Sequence, residues 1–393
     1  MSISQVCPNC GASSMSVFYE LKNVPVHSVL LLPTREEALN FPKGDIALGF
    51  CHTCGFIANV AFDPGLHQYS SRYEATQAFS STFNAFHRNL ATCLIERYDL
   101  HSKDIIEIGS GQGEFLTLLC ELGDNRGVGF DPAYISRRNQ SQANDQIIFI
   151  KDFYSEKYAN YRGDFLCCKM TLEHIQQTAD FVSTVRRSMR DQLATIVFFQ
   201  VPNVTRILRD LAFWDIYYEH CSYLSLGSLA RLFRKCGFDA IDLWKDYDDQ
   251  YLMIEARPGN GRSRPVLVQE DDLEDLTRDV AYFTENYLHK LNAWQRDLQE
   301  IRQSRRRTVI WGAGSKGVAF LTTLKIQDEI EYAVDINPYK HETYMAGTGQ
   351  QIVAPEFLRE YRPDVVIVMN PIYCNEIRRD LNRMGVTAEL MPV

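Results

Sequence analysis

Apolar positions along the chain follow two periodicities. Alternating or continuous apolar runs predict strands at 17–21, 45–50, 105–108, 127–131, 147–150, 165–169, 194–200, 252–256, 308–311, 332–335 and 365–369. Spacings of three and four predict helices at 80–98, through Phe83, Phe86, Leu90, Leu94 and Ile95, and at 114–122, through Phe115, Leu118, Leu119 and Leu122. Two further helices are predicted at 225–237 and, long and amphipathic, at 271–307, the latter bridging two domains or serving a dimer. Twice a strand runs straight into a glycine turn and then a helix: at Gly109, Gly111 and Gly113, and at Gly312-Ala313-Gly314-Ser315-Lys316-Gly317. Strands alternating with helices imply parallel α/β sheets, and the late strand at 252–256 is expected to run antiparallel.

Glycines after a strand let the backbone turn sharply and let a ligand approach where a Cβ would stand. A glycine turn alone also suits a dinucleotide fold, but here the third glycine falls two residues after the second rather than three. Two acids sharpen the assignment: Glu107 inside the strand, and Asp131 closing the next one, where it can accept hydrogen bonds from both hydroxyls of a ribose. Glu-x-Gly-x-Gly-x-Gly followed by such an acid resembles motif I of the class I S-adenosylmethionine-dependent methyltransferases. Asp152 follows the third strand, placed for an adenine amino group. Glu173 and His174 follow the fourth, at the edge where an open α/β sheet forms its ligand crevice, and their alternative role is to cap the next helix. Asn203 lies after the fifth.

Cys7-Pro-Asn-Cys10 and Cys51-His-Thr-Cys54 are two knuckles, each setting two thiolates on a tight turn; together they suit a closed S₄ structural zinc site. Composition adds exclusions. With 393 residues, 45% hydrophobic and 23% charged, the chain reads as two or three globular domains, and a net charge of −9 offers no basic field for nucleic acid. No apolar run reaches membrane-spanning length and no leader pattern is seen, so a cytoplasmic protein is expected.

The run Trp214-Asp-Ile-Tyr217-Tyr218-Glu219-His220-Cys221-Ser222-Tyr223-Leu224-Ser225 gathers an imidazole, a carboxylate and phenols in one loop. These suit a base, its orienting group and oxyanion donors, though a packing histidine fits the chemistry as well. Taken in order, the two knuckles, the glycine turn, Leu172-Glu173-His174-Ile175, this loop and Gly312–Gly317 resemble the three-domain sugar C-methyltransferases that act on nucleotide-linked 4-keto deoxysugars. The resemblance covers nearly the whole chain. It implies a class I methyltransferase core with a small N-terminal zinc module and a C-terminal Rossmann-like α/β domain, divided as 1–66, 67–260, a linker helix at 261–307, and 308–393. It implies S-adenosylmethionine held by Glu107, Gly109, Gly111, Gly113, Asp131, Asp152, Glu173 and His174. Catalysis would fall to His220 as general base with Glu219, Tyr218, Tyr223 and Tyr73, and substrate binding to Tyr69, Asn203, Lys316 and Asn370. The C-terminal glycine turn is either a phosphate site or a scaffold. The partner is a small molecule, a nucleotide sugar, and the protein a monomer or homodimer. One departure is Glu74-Ala75-Thr76-Gln77, where the resemblance places a histidine. It keeps O-methylation open, and a non-catalytic zinc and nucleotide-binding module remains the other alternative.

Overall fold

The computed structural model describes residues 6–13, 15–66, 72–136, 138, 141–259, 265–326 and 329–393, so Tyr69 lies outside the described residues. Three sheets carry the chain. The central one has seven strands in the order Phe238–Asp246, Tyr251–Pro258, Ile196–Pro202, Phe165–Lys169, Asp104–Ile108, Arg126–Phe130, Ile147–Ile150. All neighbours are parallel except Tyr251–Pro258, which runs antiparallel to both its partners. The strand order reverses between Asp104–Ile108 and Phe165–Lys169, so a crevice opens at their carboxyl ends. This is the class I methyltransferase arrangement. The runs Phe165–Lys169 and Ile196–Val201, apolar except for Lys169 and Gln200, are buried on both faces, as interior strands of such a sheet must be.

The N-terminal sheet is antiparallel: Ser16–Pro25, Lys43–Phe50 and Ile57–Asn59, with a fourth strand, Ser222–Tyr223, contributed from far along the chain. Tyr223 pairs with Ile57 and Ser222 with Ala58. The C-terminal sheet has five parallel strands in the order Gln351–Val353, Tyr332–Val334, Thr308–Trp311, Val365–Val368, Glu389–Pro392.

The long helix spans Leu273–Gln303 and works as a bridge within the chain. Phe283 packs edge-on against Tyr19 of the N-terminal sheet, and Trp294 packs at 5.0 Å against Phe320 of the helix after Gly314. One hydrophobic cluster therefore runs from the N-terminal sheet along this helix into the C-terminal one. Glu74, the residue at the sequence departure, is buried. It takes a hydrogen bond from Asn337 Nδ2 at 2.9 Å and pairs with Arg138 at 2.6 Å. The helix Ser81–Tyr98 is capped by Ser80, whose hydroxyl bonds Glu376 at 2.9 Å, so the C-terminal sheet's last helix also grips the start of this one.

Candidate active site

The glycine turn sits at the order reversal, and its three glycines are required for different reasons. Gly109 and Gly113 have φ of 70° and 88°, and a Cβ on them would meet Thr171 at 2.0 Å and Phe149 at 2.3 Å, so the protein itself fills that space. Gly111, with φ 56°, faces no protein atom nearer than Glu114 Oε2 at 3.9 Å. It is the position where a ligand, rather than a side chain, has room to lie. Asp131 is tied to the turn by accepting from Gly111 N at 2.8 Å and Ala133 N at 2.7 Å. Glu107 is buried and accepts from Leu116 N at 3.0 Å. Burial raises its carboxyl above the usual range. Beside it, Lys169 is buried too, donates to His87 Nε2 at 2.8 Å and sits 3.8 Å from the centre of the Phe115 ring. Asp152 lies at the surface, and its carboxylate is already taken up by Lys157, by Tyr158 Oη at 2.5 Å and by Phe153 N at 2.8 Å. An adenine amino group would have to compete with these donors.

The loop Met170–Ile175 joins this turn to the His220 loop. Thr171 presses on Gly109, while ligand atoms of Glu173, His174 and His220 lie within 4.8 Å of one another. Cys221 N donates to Glu173 O at 2.7 Å, which fixes the two loops together. Glu173 and His174, expected after the fourth strand among the cofactor residues, do follow Phe165–Lys169 and stand there with His220.

A cavity of about 320 Å³ opens over this cluster. Its walls are the carboxyl edge of the central sheet, the segment 73–80 and the carboxyl ends of the C-terminal strands, and they include Tyr73, Met170, Glu173, His174, Tyr217, His220, Lys316 and Asn370. Thr76, also in the wall, bonds Glu114 at 2.6 Å, which ties that wall to the first turn of the glycine-turn helix. His220 is buried, with the Tyr217 ring at 4.1 Å and the His174 ring edge-on at 4.9 Å, and its Nδ1 has no partner. Burial pushes this imidazole well below its ordinary range, and His174 and the Lys316 charge act in the same direction. A neutral imidazole can accept a proton.

Glu219 follows a different logic. It points away from the cavity, where His27 Nδ1 donates to it at 2.9 Å, Ser28 N donates at 3.2 Å and the Ser28 hydroxyl also bonds it. Burial alone would raise its carboxyl, but the His27 bond and charge hold it below the usual range. It anchors the loop from behind. Tyr218 and Tyr223 are corrected as well: neither lines the cavity. The Tyr218 hydroxyl accepts from Asp63 N at 2.8 Å and donates to Asp63 O at 3.1 Å, which uses it up, and Tyr223 donates to Tyr217 O at 3.3 Å. Of the tyrosines in this loop the one that lines the cavity is Tyr217, which was not among the expected site residues. Consecutive residues in a turn face opposite ways, and nothing in the letters says which of two adjacent tyrosines faces inward.

Asn203 lines the wall, but its side chain caps the helix Val204–Arg209 and bonds Asp249 O at 2.8 Å. Lys316 donates to Asp215 at 2.8 Å and to Gln250 at 3.2 Å, and Asn370 exchanges hydrogen bonds with the same Gln250. In the C-terminal sheet Asp335 is filled by Lys340 at 3.1 Å, Ala313 N at 3.0 Å and Asn337 N at 2.9 Å.

At the other end, the two knuckles meet. Cys7 Sγ lies 3.7 Å from Cys54 Sγ and Cys10 Sγ 3.5 Å from Cys51 Sγ, and all four sulfurs fall within 4.8 Å. Four sulfurs about 2.3 Å from a tetrahedral ion would stand about 3.8 Å apart, so the donor set fits zinc. No helix among the described residues is long and apolar enough to cross a membrane.

Comparisons with known proteins find relatives for both α/β parts of the chain. Residues 77–243 match a methyltransferase-domain family, and residues 265–388 match the C-methyltransferase C-terminal domain family. The C-methyltransferase NovU of Streptomyces niveus is 27% identical over 326 residues, covering 78% of this chain and 75% of that one. Among solved structures, magnesium protoporphyrin IX methyltransferase from Synechocystis PCC 6803 superposes with a TM-score of 0.36 at 12% identity, over 47% of this chain and 89% of that one. A Listeria monocytogenes putative S-adenosylmethionine-dependent methyltransferase gives 0.34 at 12% identity, over 45% and 100%.

Proposed function

We propose, for a chain that is an S-adenosylmethionine-dependent methyltransferase ending in a C-methyltransferase C-terminal domain, that it methylates carbon beside the ketone of a nucleotide-linked deoxysugar. The observation that carries this reading is His220: a buried imidazole with no partner at Nδ1, lining a cavity whose wall also holds Met170, Glu173 and His174 of the loop that packs on Gly109 through Thr171. When bound, S-adenosylmethionine supplies an electrophilic methyl group. Gly111 and Asp131 would hold it, and the open space at Gly111 supports that placement. His220 takes the proton from the carbon, Tyr217 stands where a phenol can hydrogen-bond the acceptor, and Glu219 keeps the loop in place through His27 and Ser28. The C–H is a far weaker acid than an imidazolium, so enolate stabilisation must accompany the proton transfer. Lys316 and Asn370 are the proposed contacts for the nucleotide part, released from Gln250 when it binds. Zinc in the four-cysteine site is proposed as structural, because four sulfur ligands leave no open position.

Incubation with S-adenosylmethionine and nucleotide-linked 4-keto deoxysugars, followed by product NMR, tests the reading. A new methyl carbon bonded to ring carbon is expected; a methoxy-type carbon would replace it by O-methylation. The cofactor site has its own check. Gly111→Val puts a side chain into space that no protein atom occupies, so calorimetry should show at least about a tenfold loss of S-adenosylmethionine affinity. A melting temperature close to wild type would separate that loss from misfolding, and unchanged affinity would remove Gly111 from the pocket.

A further inference from the structure

Glu173 is a member of the cavity cluster to which no role has been assigned. It is 1% exposed, and neither carboxyl oxygen has a hydrogen-bond partner. No ion pair involves it among the described residues. The groups that face it are Cys168 on its own strand's end, His174 beside it, Tyr217, His220 and Cys221 on the opposing loop, and Tyr251 on the antiparallel strand. Burial drives the thiols and phenols above their ordinary values and the two imidazoles below theirs, so all six are uncharged at neutral pH. A carboxylate here would stand buried with no cation paired to it and no donor from another residue, an arrangement that disfavours the charged form. A carboxylic acid in the same place has no such penalty and one proton to donate.

We infer that Glu173 acts as a neutral carboxylic acid that donates a hydrogen bond to the acceptor's carbonyl oxygen as it becomes an enolate. The inference rests on the enolate chemistry proposed above. No proton changes hands at Glu173: the proton lost by carbon goes to His220, and Glu173 keeps its own while the negative charge grows on the oxygen opposite. The division of labour is physical. His220 is neutral and can accept; Glu173 is neutral and can donate; both are held neutral by burial. Burial pushes the Glu173 carboxyl up to about 8, so the donor form is present at neutral pH and is lost as the pH rises through that value.

Three measurements on the full chain with zinc in place test this, the first of them with S-adenosylhomocysteine bound. Carbon-13 labelling of glutamate side chains, with Glu173→Gln to assign the resonance, should show a carboxyl still protonated at pH 7. A carboxyl already ionised at pH 6 overturns the proposal. So does elemental analysis that finds a divalent ion beyond the zinc, released by Glu173→Gln, because the carboxyl would then be a ligand. With a nucleotide-linked keto sugar as acceptor, Glu173→Gln keeps a donor and should hold kcat within about tenfold of wild type while losing the decline above pH 8. Glu173→Leu should lose at least about 100-fold in kcat with KM little changed. Equal losses in the two variants overturn the proposal. Failure of every keto-sugar acceptor overturns the functional reading together with this one, whereas an ionised carboxyl sinks this one alone.

Discussion

Replacing His220 with alanine is expected to lower turnover by about 10³-fold, within the range that a positioned general base contributes, and to leave S-adenosylmethionine affinity within about threefold of wild type. The asymmetry follows from position. His220 lines the cavity on the side of Glu173, His174 and Tyr217, whereas the glycine turn touches that cluster only through Thr171 and the loop that follows. Single-turnover methyl transfer and calorimetry on the same preparation make the comparison. Wild-type turnover in His220→Ala would withdraw the base assignment; parallel loss of cofactor affinity would mean that the loop, and not the imidazole, had been damaged. The acid side of the rate profile bears on the same group. Because burial holds His220 well below the ordinary imidazole range, it stays unprotonated to lower pH than a surface histidine, and activity should persist at a pH where an exposed imidazole base would be protonated.

The second large effect is expected from removing the zinc proposed for the four-cysteine site. The knuckle Cys51–Cys54 leads directly into the strand Ile57–Asn59, which pairs with Ser222–Tyr223, and Asn59 N donates to Cys221 O at 2.9 Å. The chain thus runs from the sulfur cluster to the residue after His220 with one short strand between. Arg231 Nε donates to Cys54 O at 3.0 Å and Lys235 bonds Asn9 O, so the same cluster is clamped to the helix Leu226–Lys235 of the central unit. Metal analysis should find one zinc per chain. Cys51→Ser or exhaustive chelation should lower the melting temperature by roughly 10 °C or more, since structural zinc contributes to folding directly. Activity should fall with it, because the loop carrying His220 loses its anchor. A metal-free protein with wild-type melting and turnover would reduce the four thiols to packing.

Much of the fold could be read from the letters, and the exceptions have physical causes. The strands at 105–108, 165–169 and 308–311 are mainly apolar runs buried on two faces, and the edge strand at 147–150 is apolar throughout although Ile148 is exposed, so hydrophobicity alone marks all four. Phe238–Asp246 escaped notice because it is an edge strand whose charged Asp239, Asp242 and Lys245 belong to its wetter positions. Glu389–Pro392 is short, half exposed, and defined by its partner Val365–Val368 more than by its own residues. The site was legible as a list of chemical groups but not as an orientation. Glu219 was recognisable beside His220, yet its anchor His27 stands 192 residues earlier, and no local pattern connects them. The exchange of Tyr218 for Tyr217, and the use of Lys316 and Asn370 against Gln250, are likewise set by tertiary contacts between segments the sequence does not bring together.

The strand Ser222–Tyr223 also bears on how the protein is made. Ile57–Asn59 waits for a partner encoded about 160 residues further on, which at ribosomal speeds is roughly ten to thirty seconds of exposed edge. During that interval the nascent N-terminal sheet has an open flank able to pair with a neighbouring chain, the hazard that unprotected edges carry. A metal ion captured early by the four thiols would hold that unfinished sheet in register, so zinc supply during translation, and not only afterwards, should govern how much of this enzyme emerges soluble.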